Sequence, residues 1–241
     1  MLFFKSPVEN KIFVAFLLLF GLSSCKKPGI TYENFKASNL NVVCAWDADD
    51  IPVAFSLDTT VRLYGGNLYY AEQTYYQVLF SGQRVAKFKD ENGALIYSVP
   101  ISMEDKKAYT LFYTGTQANP ESVFVEDDMS SPGDNKTRFR IANMNPDPNS
   151  KYDIYFETPL MPRQKVFSAI GSKTVSTPVV KDSTTQVITI TAINPGVDTL
   201  VYQEPTVRFL AERAYTIVIV GKKNGINPQE LLISENYYTY Q

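Results

Sequence analysis

The sequence predicts an all-β protein in which two antiparallel β-sandwiches follow one another along the chain. Apolar and polar residues alternate at period two over most segments after residue 36, as they do in strands with one buried face. One strand motif recurs about 100 residues later. Of the 241 residues, 44% are apolar and 20% charged, which is a globular composition.

The alternation is clearest in the predicted strand at 138–143. Phe139, Ile141 and Asn143 share one face, and Arg138 and Arg140 share the other. The segments 152–156 and 188–192 have the same pattern. Further strands rich in Val, Ile, Thr, Tyr and Phe are predicted at 76–80, 85–88, 95–99, 109–114, 123–125, 199–202, 207–210, 215–220 and 231–233. No long stretch has helical spacing.

Two turn motifs join predicted strands into hairpins. Asn92-Gly93 supplies the positive φ angles of a type I′ turn between 85–88 and 95–99. Asn194-Pro195-Gly196 connects 187–192 to 199–202 in a similar way.

The recurring motif divides the chain into two repeats. Residues 109–115 reappear as 215–221, 106 positions further along, and 43–47 matches 142–147 more loosely at a spacing of about 99. The polar, turn-rich segment 129–135 is the predicted linker. Repeats at 37–134 and 135–241 then have about the size of a seven-stranded immunoglobulin-like sandwich.

The first residues of the chain have the layout of an export signal. Lys5 and Lys11 precede an apolar run at 12–22 that is too short to cross a bilayer as a helix. Leu22-Ser23-Ser24-Cys25 resembles the lipobox of bacterial lipoproteins, in which the signal is cut before a diacylated cysteine. We predict a signal peptide at 1–24, lipidation at Cys25 and a lipidated tether at 25–36; the alternative is a plain secretory signal.

Lipidation implies a cell-envelope protein anchored by its N-terminal lipid, with the outer membrane as its expected location. Each buried acyl methylene contributes about 0.8 kcal/mol to anchoring. Lipoproteins that are exported to the cell surface in the Bacteroidota are similar in having an acidic cluster soon after the lipidated cysteine. Lys26 and Lys27 occupy that place here, so both the surface and the periplasmic face stay open.

A family resemblance covers most of the chain after the signal. Phe139–Asp147, the strand at 152–155 and the segment 215–221 resemble the bacterial envelope family called domain of unknown function 4397. In the first repeat, 46–50 replaces the Ser-Pro-Asp-like turn of that family. The resemblance covers roughly 38–238, and it implies tandem β-sandwiches in secreted or lipid-anchored proteins with no established activity.

Composition argues against several classes of function. The chain contains no histidine, which removes Ser-His-Asp and Cys-His catalysis and zinc bound by histidine. A net charge of −2 provides no polycationic surface for nucleic acid. Phosphate-loop, CxxC, HExxH and nucleophile-elbow motifs are all missing. We therefore expect a protein that is not an enzyme and needs no cofactor.

Three groups of acidic residues are candidates for calcium binding or paired-carboxylate chemistry. They are Asp47 with Asp49 and Asp50, Glu126 with Asp127 and Asp128, and Asp147 with Asp153. None has the ligand spacing of a calcium loop. We interpret them as turn and strand-edge residues, and predict no metal site.

Aromatic residues are the candidate ligand contacts. Trp46, Tyr69, Tyr70, Tyr75 and Tyr76 could stack on sugars or peptides, since each ring has an apolar face and a polar tip. The alternative is that they complete a core or cover an edge, and Trp46 in particular is either a contact or a core residue. A second tyrosine group follows at 237–240.

Two further features concern modification and redox state. Thr59, Ser183 and Thr199 each follow an aspartate in a sequence that resembles the O-glycosylation sequon of the Bacteroidota. With Cys25 lipidated, Cys44 has no partner for an intramolecular disulfide, and its apolar neighbours favour a buried, inert thiol.

The leading hypothesis is a non-enzymatic envelope lipoprotein that binds or scaffolds, with a glycan or an envelope protein as partner. The alternatives are a polysaccharide-binding accessory or glycan-processing protein of a nutrient-uptake system, and a stalk or adhesin subunit that pairs through an edge strand. The oligomeric state stays open.

Overall fold

A computed structural model of the chain describes residues 36–47, 51–58, 61–62, 66–158, 161–182, 186–194, 199–221 and 229–236. The predicted signal peptide, Cys25 and most of the predicted tether lie outside these residues. All of the regular secondary structure in the described ranges is β-strand, which confirms the all-β prediction. No helix in this part of the chain has the length and apolarity to span a membrane.

The described residues form eighteen strands. In chain order they are β1 Ala37–Cys44, β2 Ala54–Leu57, β3 Val61–Arg62, β4 Glu72–Gln73, β5 Gln77–Phe80, β6 Gly82–Lys89, β7 Leu95–Met103, β8 Ala108–Thr116, β9 Asn119–Asp127, β10 Lys136–Asn143, β11 Lys151–Thr158, β12 Met161–Gly171, β13 Thr174–Val175, β14 Val179–Asp182, β15 Gln186–Asn194, β16 Thr199–Phe209, β17 Ala214–Val220 and β18 Glu230–Glu235.

The two halves of the chain have the same strand order. In the first half, one sheet runs β4-β1-β8-β9 with β5 also paired to β1, and a second runs β3-β2-β6-β7. In the second half, one sheet runs β13-β10-β17-β18 with β14 also paired to β10, and a second runs β12-β11-β15-β16. In each half the first strand pairs in parallel with a strand about 70 residues later, and the other pairs are antiparallel.

An apolar core lies between the two sheets of each half. Leu40 and Leu111 of the first sheet pack with Phe55 and Phe88 of the second, in one cluster. Phe139 and Ile217 belong to the corresponding cluster of the second half. Each half is therefore sandwich-like; its assignment as immunoglobulin-like and the boundaries 37–134 and 135–241 stay predictions.

The same tyrosine contact closes a corner in both halves. The Tyr109 hydroxyl accepts a hydrogen bond of 3.0 Å from the Glu104 amide, and the Tyr215 hydroxyl accepts one of 3.1 Å from the Leu210 amide. Each bond returns to the backbone five residues upstream. These two tyrosines begin the matching motifs 109–115 and 215–221, so the sequence repeat corresponds to a repeated structural detail.

The predicted hairpins are present, but the first has a different turn. Strands β6 and β7 are antiparallel, with Lys89 opposite Leu95, so five residues connect them. Gly93 has φ 82°, whereas Asn92 is not among the residues with positive φ. The Asp90 carboxylate accepts hydrogen bonds from the Asn92 and Ala94 amides. A five-residue loop organised by this side chain therefore stands in place of the expected two-residue type I′ turn. Strands β15 and β16 also pair antiparallel, with Asn194 opposite Thr199.

A third apolar cluster joins the two halves. It contains Val43 and Phe112 from the first half and Ala142, Val218 and Val220 from the second. Because alternate residues of β1, β8, β10 and β17 face this cluster and their own core, these strands are buried on both faces. The four sheets thus form successive layers, with the third cluster between the middle two.

Candidate functional site

Trp46 lies in the core of the first half and is 3% exposed. Its indole Nε1 donates a hydrogen bond of 2.9 Å to the Thr116 carbonyl, and its ring centroid is 5.3 Å from that of Tyr113. Both its polar atom and its ring are therefore engaged inside the protein. Of the two alternatives for Trp46, the structure places it in the core and not at a contact surface.

Two of the four candidate tyrosines also point inward. The Tyr76 hydroxyl donates a hydrogen bond of 2.7 Å to Asp127 Oδ2, and burial and the nearby Asp127 charge raise the pKa of Tyr76. Tyr70 is half-buried against the cluster between the halves, and burial raises its pKa as well. Neither hydroxyl ionises near neutral pH. Tyr70 thus packs between the halves, and Tyr76 is held by its hydrogen bond to Asp127.

Tyr69 and Tyr75 face solvent, with exposures of 49% and 68%. Tyr75 has φ 58°, a conformation that is uncommon for a bulky residue. The consecutive residues Tyr75 and Tyr76 point in different directions, one outward and one inward. The structure therefore does not bring the five predicted contact residues together in one platform.

Exposed apolar residues continue from Tyr75 along β5. Val78 is 73% exposed and Phe80 is 58% exposed, whereas Leu79 between them packs against the core of the first half. We call Tyr75, Val78 and Phe80 the apolar edge. Large exposed apolar side chains that adjoin one another are typical of interaction sites.

The apolar edge lies at an open border of its sheet. Among the described strands, β5 pairs with β1 alone. Val78 lies opposite Asn39 and Phe80 opposite Ala37, so both side chains share the sheet face that packs against the second half. Asn39 is only 7% exposed. The exposed apolar surface therefore begins where the buried interface between the halves ends.

Backbone contacts fix the position of Phe80 relative to the beginning of β1. The Ser81 amide donates a hydrogen bond of 3.0 Å to the Lys36 carbonyl, and the Lys106 amide donates one of 2.6 Å to the Ala37 carbonyl. The Ala37 amide donates a 2.8 Å bond to Asp105 Oδ1. The segment that precedes β1 thus joins the folded body directly beside Phe80.

Arg84 supports the same end of β5. Its Nε and Nη2 atoms each donate a hydrogen bond of 3.2 Å to the Phe80 carbonyl, and its Nη1 lies 2.8 Å from Asp58 Oδ2. The hydrogen bond from the Val85 amide and the charge of Arg84 lower the pKa of Asp58. Asp58 therefore remains ionised and keeps the guanidinium against β5.

The three successive acids before the predicted linker have three different partners. Glu126 Oε2 lies 2.9 Å from Lys107 Nζ, Asp127 pairs with Arg140, and Asp128 Oδ2 lies 2.7 Å from Arg138 Nη1. Burial acts against the ionised form of Asp128, but hydrogen bonds from Ser130 and the charge of Arg138 lower its pKa. These carboxylates are held apart by cations and do not converge on one point.

The other acidic groups are dispersed as well. The exposed Asp147 accepts a hydrogen bond from the Asn149 amide, whereas Asp153 Oδ2 lies 2.6 Å from Lys165 Nζ. Asp47 is buried, and Asp49 and Asp50 lie outside the described residues. Within the described ranges, no three carboxylate or thiol groups are close enough to hold a metal ion.

A buried polar network crosses from one half to the other. Asp127 accepts hydrogen bonds from Tyr76 and Thr110 and forms an ion pair with Arg140, whose Nε donates a 2.8 Å bond to Thr216 Oγ1. The Asp127 side chain is fully buried, and that of Arg140 is 8% exposed. The network satisfies both charges and fixes the two halves against each other.

An open depression of about 400 Å³ lies near the linker, between 129–132, 211–214 and Asn236. Two of its polar side chains have partners within the protein: Asn236 Oδ1 accepts a hydrogen bond from Thr216, and Ser131 Oγ accepts one from the Gly133 amide. Since the apolar edge is the more exposed and more apolar surface, we take it as the candidate functional site.

Sequence reasoning missed Val78 and Phe80, although it predicted a strand at 76–80. The signal was present, because Val78, Leu79 and Phe80 are apolar on both faces of a strand with period two. Thr59 and Ser183 of the predicted glycosylation sites lie outside the described residues, and Thr199 begins β16. Cys44 is buried and free as predicted, and burial raises the pKa of its thiol to about 12.

Comparison with protein families shows a match to the family described as Domain of unknown function (DUF4397) over residues 45–150. This confirms the family resemblance over residues 45–150, whereas the motifs at 152–155 and 215–221 and the rest of the expected range 38–238 lie outside the match. The match covers less than half of the chain. No curated protein matches the sequence.

Three solved structures resemble the chain weakly. A candidate cell adhesion protein from Bacteroides uniformis ATCC 8492 is 11% identical with a TM-score of 0.27, and the alignment covers 83% of this chain and 98% of that one. A candidate adhesin from Bacteroides ovatus is 8% identical with a TM-score of 0.22, over 85% and 96%. A leucine-rich repeat protein from Bacteroides thetaiotaomicron VPI-5482 is 8% identical with a TM-score of 0.21, over 81% and 27%.

Proposed function

We propose that the protein is a non-catalytic binding protein of the bacterial cell envelope, anchored to the outer membrane by an acylated Cys25. The observation that carries the binding role is the apolar edge, where Val78 and Phe80 are 73% and 58% exposed on a strand that, among the described strands, pairs with β1 alone. Large exposed apolar side chains at a sheet border are costly to leave in water, and proteins keep them where a partner covers them.

The anchoring role is supported by the Leu22-Ser23-Ser24-Cys25 motif and the short apolar run before it. Two or three acyl chains meet the two-signal requirement for stable membrane attachment. The described body then begins eleven residues after the lipidated cysteine, at Lys36.

Metabolic labelling tests the anchor. Cells that express the full chain are grown with labelled palmitate, and the protein is isolated from membrane and soluble fractions. We expect a labelled chain in the membrane fraction, and loss of label together with release from the membrane for Cys25→Ser. Cys44→Ser is the matched control and should keep the label, because Cys44 is buried in the fold. An unlabelled wild-type chain would contradict the proposal.

The membrane face is tested with a large protease added to intact and lysed cells. We propose the periplasmic face, since Lys26 and Lys27 follow the lipobox in place of acids. The chain should then be protected in intact cells and cleaved after lysis. Cleavage in intact cells would instead show surface display and direct the search for partners to glycans and adhesion receptors.

The exposed rings of Tyr69 and Tyr75 favour glycan binding as a second candidate function, because tyrosine faces stack on sugar rings. Calorimetric titration with envelope polysaccharides tests it. Saturable binding that Tyr75→Ala weakens about tenfold would support this candidate, whereas binding unchanged in that variant would exclude the tyrosine face.

A further inference from the structure

The apolar edge lies where the N-terminal segment joins the folded body. Phe80 is opposite Ala37 in the sheet, and the Ser81 amide donates a hydrogen bond to the Lys36 carbonyl. Lys36 is the first described residue of the body, and its backbone lies beside the end of β5 that carries Phe80.

The tether is short. From Cys25 to Lys36 the chain advances by eleven residues. Eleven residues span at most about 40 Å when fully extended, and about 20 Å as a flexible coil. An acylated Cys25 lies in the membrane, so the bilayer surface stays within this distance of the apolar edge. The tether thus gives that surface a high effective concentration at the edge.

The chemistry of the edge suits the boundary between lipid headgroups and acyl chains. Val78 and Phe80 provide apolar area, and Tyr75 provides a ring with a polar tip of the kind enriched at membrane interfaces. The exposed side chains of Lys36 and Lys106 lie beside the same end of β5, where they can meet anionic headgroups.

We propose that the apolar edge is a second membrane contact, which enters the headgroup region of an anionic bilayer and orients the body relative to the membrane. This inference rests on the proposed lipid anchor. The partner is the bilayer surface itself, and the contact adds to acyl anchoring without replacing it.

The second half provides a matched control. Val180 lies opposite Arg138 as Val78 lies opposite Asn39, and Asp182 lies opposite Lys136 as Phe80 lies opposite Ala37. Val180 is 47% exposed, but a charged pair occupies the position that corresponds to Phe80. We therefore expect no lipid contact at β14.

The test uses the full lipidated chain reconstituted into vesicles of phosphatidylethanolamine and phosphatidylglycerol that contain brominated lipid. Phe80→Trp and Val78→Trp place an indole on the apolar edge, and Val180→Trp places one on the control strand. Thermal unfolding checks that each variant is folded. Trp46 is buried and provides a constant emission in all variants.

We expect bromine to reduce the added emission of Phe80→Trp and Val78→Trp roughly twofold, since residues of an interfacial contact lie about 5–10 Å deep. The added emission of Val180→Trp should not change. Equal quenching at β5 and β14, or no quenching at either, would overturn the inference. A contact between β5 and a second copy of the chain would also overturn the inference. In that case the indoles on β5 would not be quenched, and cross-linking would detect a dimer that Phe80→Asp abolishes.

Flotation of the same vesicles separates the two proposals. A wild-type chain that floats without quenching at β5 refutes the second contact and leaves the anchor intact. A chain that does not float refutes the anchor, and the inference falls with it.

Discussion

The two halves of the molecule share a strand order but carry different side chains at matched positions of the faces that pack together. Asn41 of β1 corresponds to Arg140 of β10, because each lies opposite the matching threonine, Thr110 or Thr216. Asp127, the last residue of β9, corresponds to Asn236, which follows β18, since each pairs with the matching alanine of β8 or β17. The first half thus buries an acid and the second half a base.

This difference explains why the halves pack as an unlike pair. Strand β9 meets β10 through Asp127 and Arg140, and β1 meets β18 through Asn41 and Ser234. Two copies of the first half packed in this way would leave Asp127 without a cation, and two copies of the second half would leave Arg140 without an acid. An unpaired buried charge is costly, so the ion pair selects the unlike arrangement.

Removal of Asp127 is expected to have the largest effect. Asp127→Ala leaves the Arg140 guanidinium buried without its acid and should lower the free energy of unfolding by about 3–5 kcal/mol. Chemical denaturation of the variant and the wild type measures this loss of stability. Lys173→Ala is the control, because Lys173 pairs with Glu121 at a partly exposed part of the same interface and should cost under about 1 kcal/mol. Equal losses in the two variants would mean that the buried pair does not hold the halves together.

Gly115 tests the turn that follows β8 in the first half. It has φ 90°, and a Cβ there would meet the Asn119 carbonyl and, at 2.9 Å, the Glu121 amide nitrogen. Gly115→Ala should destabilise the protein by about 2–4 kcal/mol, from backbone strain and steric overlap together. Gly93→Ala is the control, since Gly93 has φ 82° with no atom within 4 Å of the added Cβ, and should cost about 1 kcal/mol. Thermal denaturation of the two variants is the measurement. A smaller loss of stability for Gly115→Ala than for Gly93→Ala would refute the steric argument.

The corner tyrosines test what the halves have in common. Tyr109→Phe and Tyr215→Phe each remove one hydroxyl that accepts a backbone hydrogen bond. Each substitution should cost about 1 kcal/mol, and the two costs should agree within error because the contacts are equivalent. Urea denaturation of both variants is the measurement. A large difference between them would show that the corner is structural in one half alone.

Acid titration of Asp128 should give the smallest effect. The folded-state pKa of Asp128 is lowered, so its contribution to stability is present above the unfolded-state pKa of about 3.9 and is lost as pH falls through the folded value. Asp128→Asn should be less stable than wild type at pH 7 by under about 1 kcal/mol, since this carboxylate is 53% exposed. The difference should vanish at the acid end of the titration. A difference that persists there would assign the effect to packing.

Local signals in the sequence were sufficient to predict the repeat and most of the longer strands, but they missed β1, β2, β12 and β14. The two strands predicted at 199–202 and 207–210 form the single strand β16. Alternation at period two, turn residues and the motif at 109–115 and 215–221 depend on neighbours along the chain, and the structure contains the corresponding strands and the repeated tyrosine corner. The parallel pairing of β1 with β8 was not predicted, because it joins residues about 70 positions apart and has no local signature.

The role of Asp127 also depended on contacts that the sequence does not show. In 126–128 it is one of three successive acids and is predicted to be a turn or strand-edge residue, yet it is buried against Arg140 while its two neighbours are exposed. The same limit applies to Trp46 and Tyr76, whose surroundings are set by β8 and β9. Val78 and Phe80 are exposed because they lie where the interface between the halves ends. That position depends on how the sheets assemble.

The central position of β1 determines how the body responds to mechanical load. A force applied through the N-terminal segment acts along β1 from Ala37 onward. This strand is paired on one side with β4 and β5 and on the other with β8, over six aligned positions. Such a pull loads these hydrogen bonds together in shear instead of opening them one at a time. Strand β1 is therefore well placed to resist extraction by a pull on the N-terminal segment.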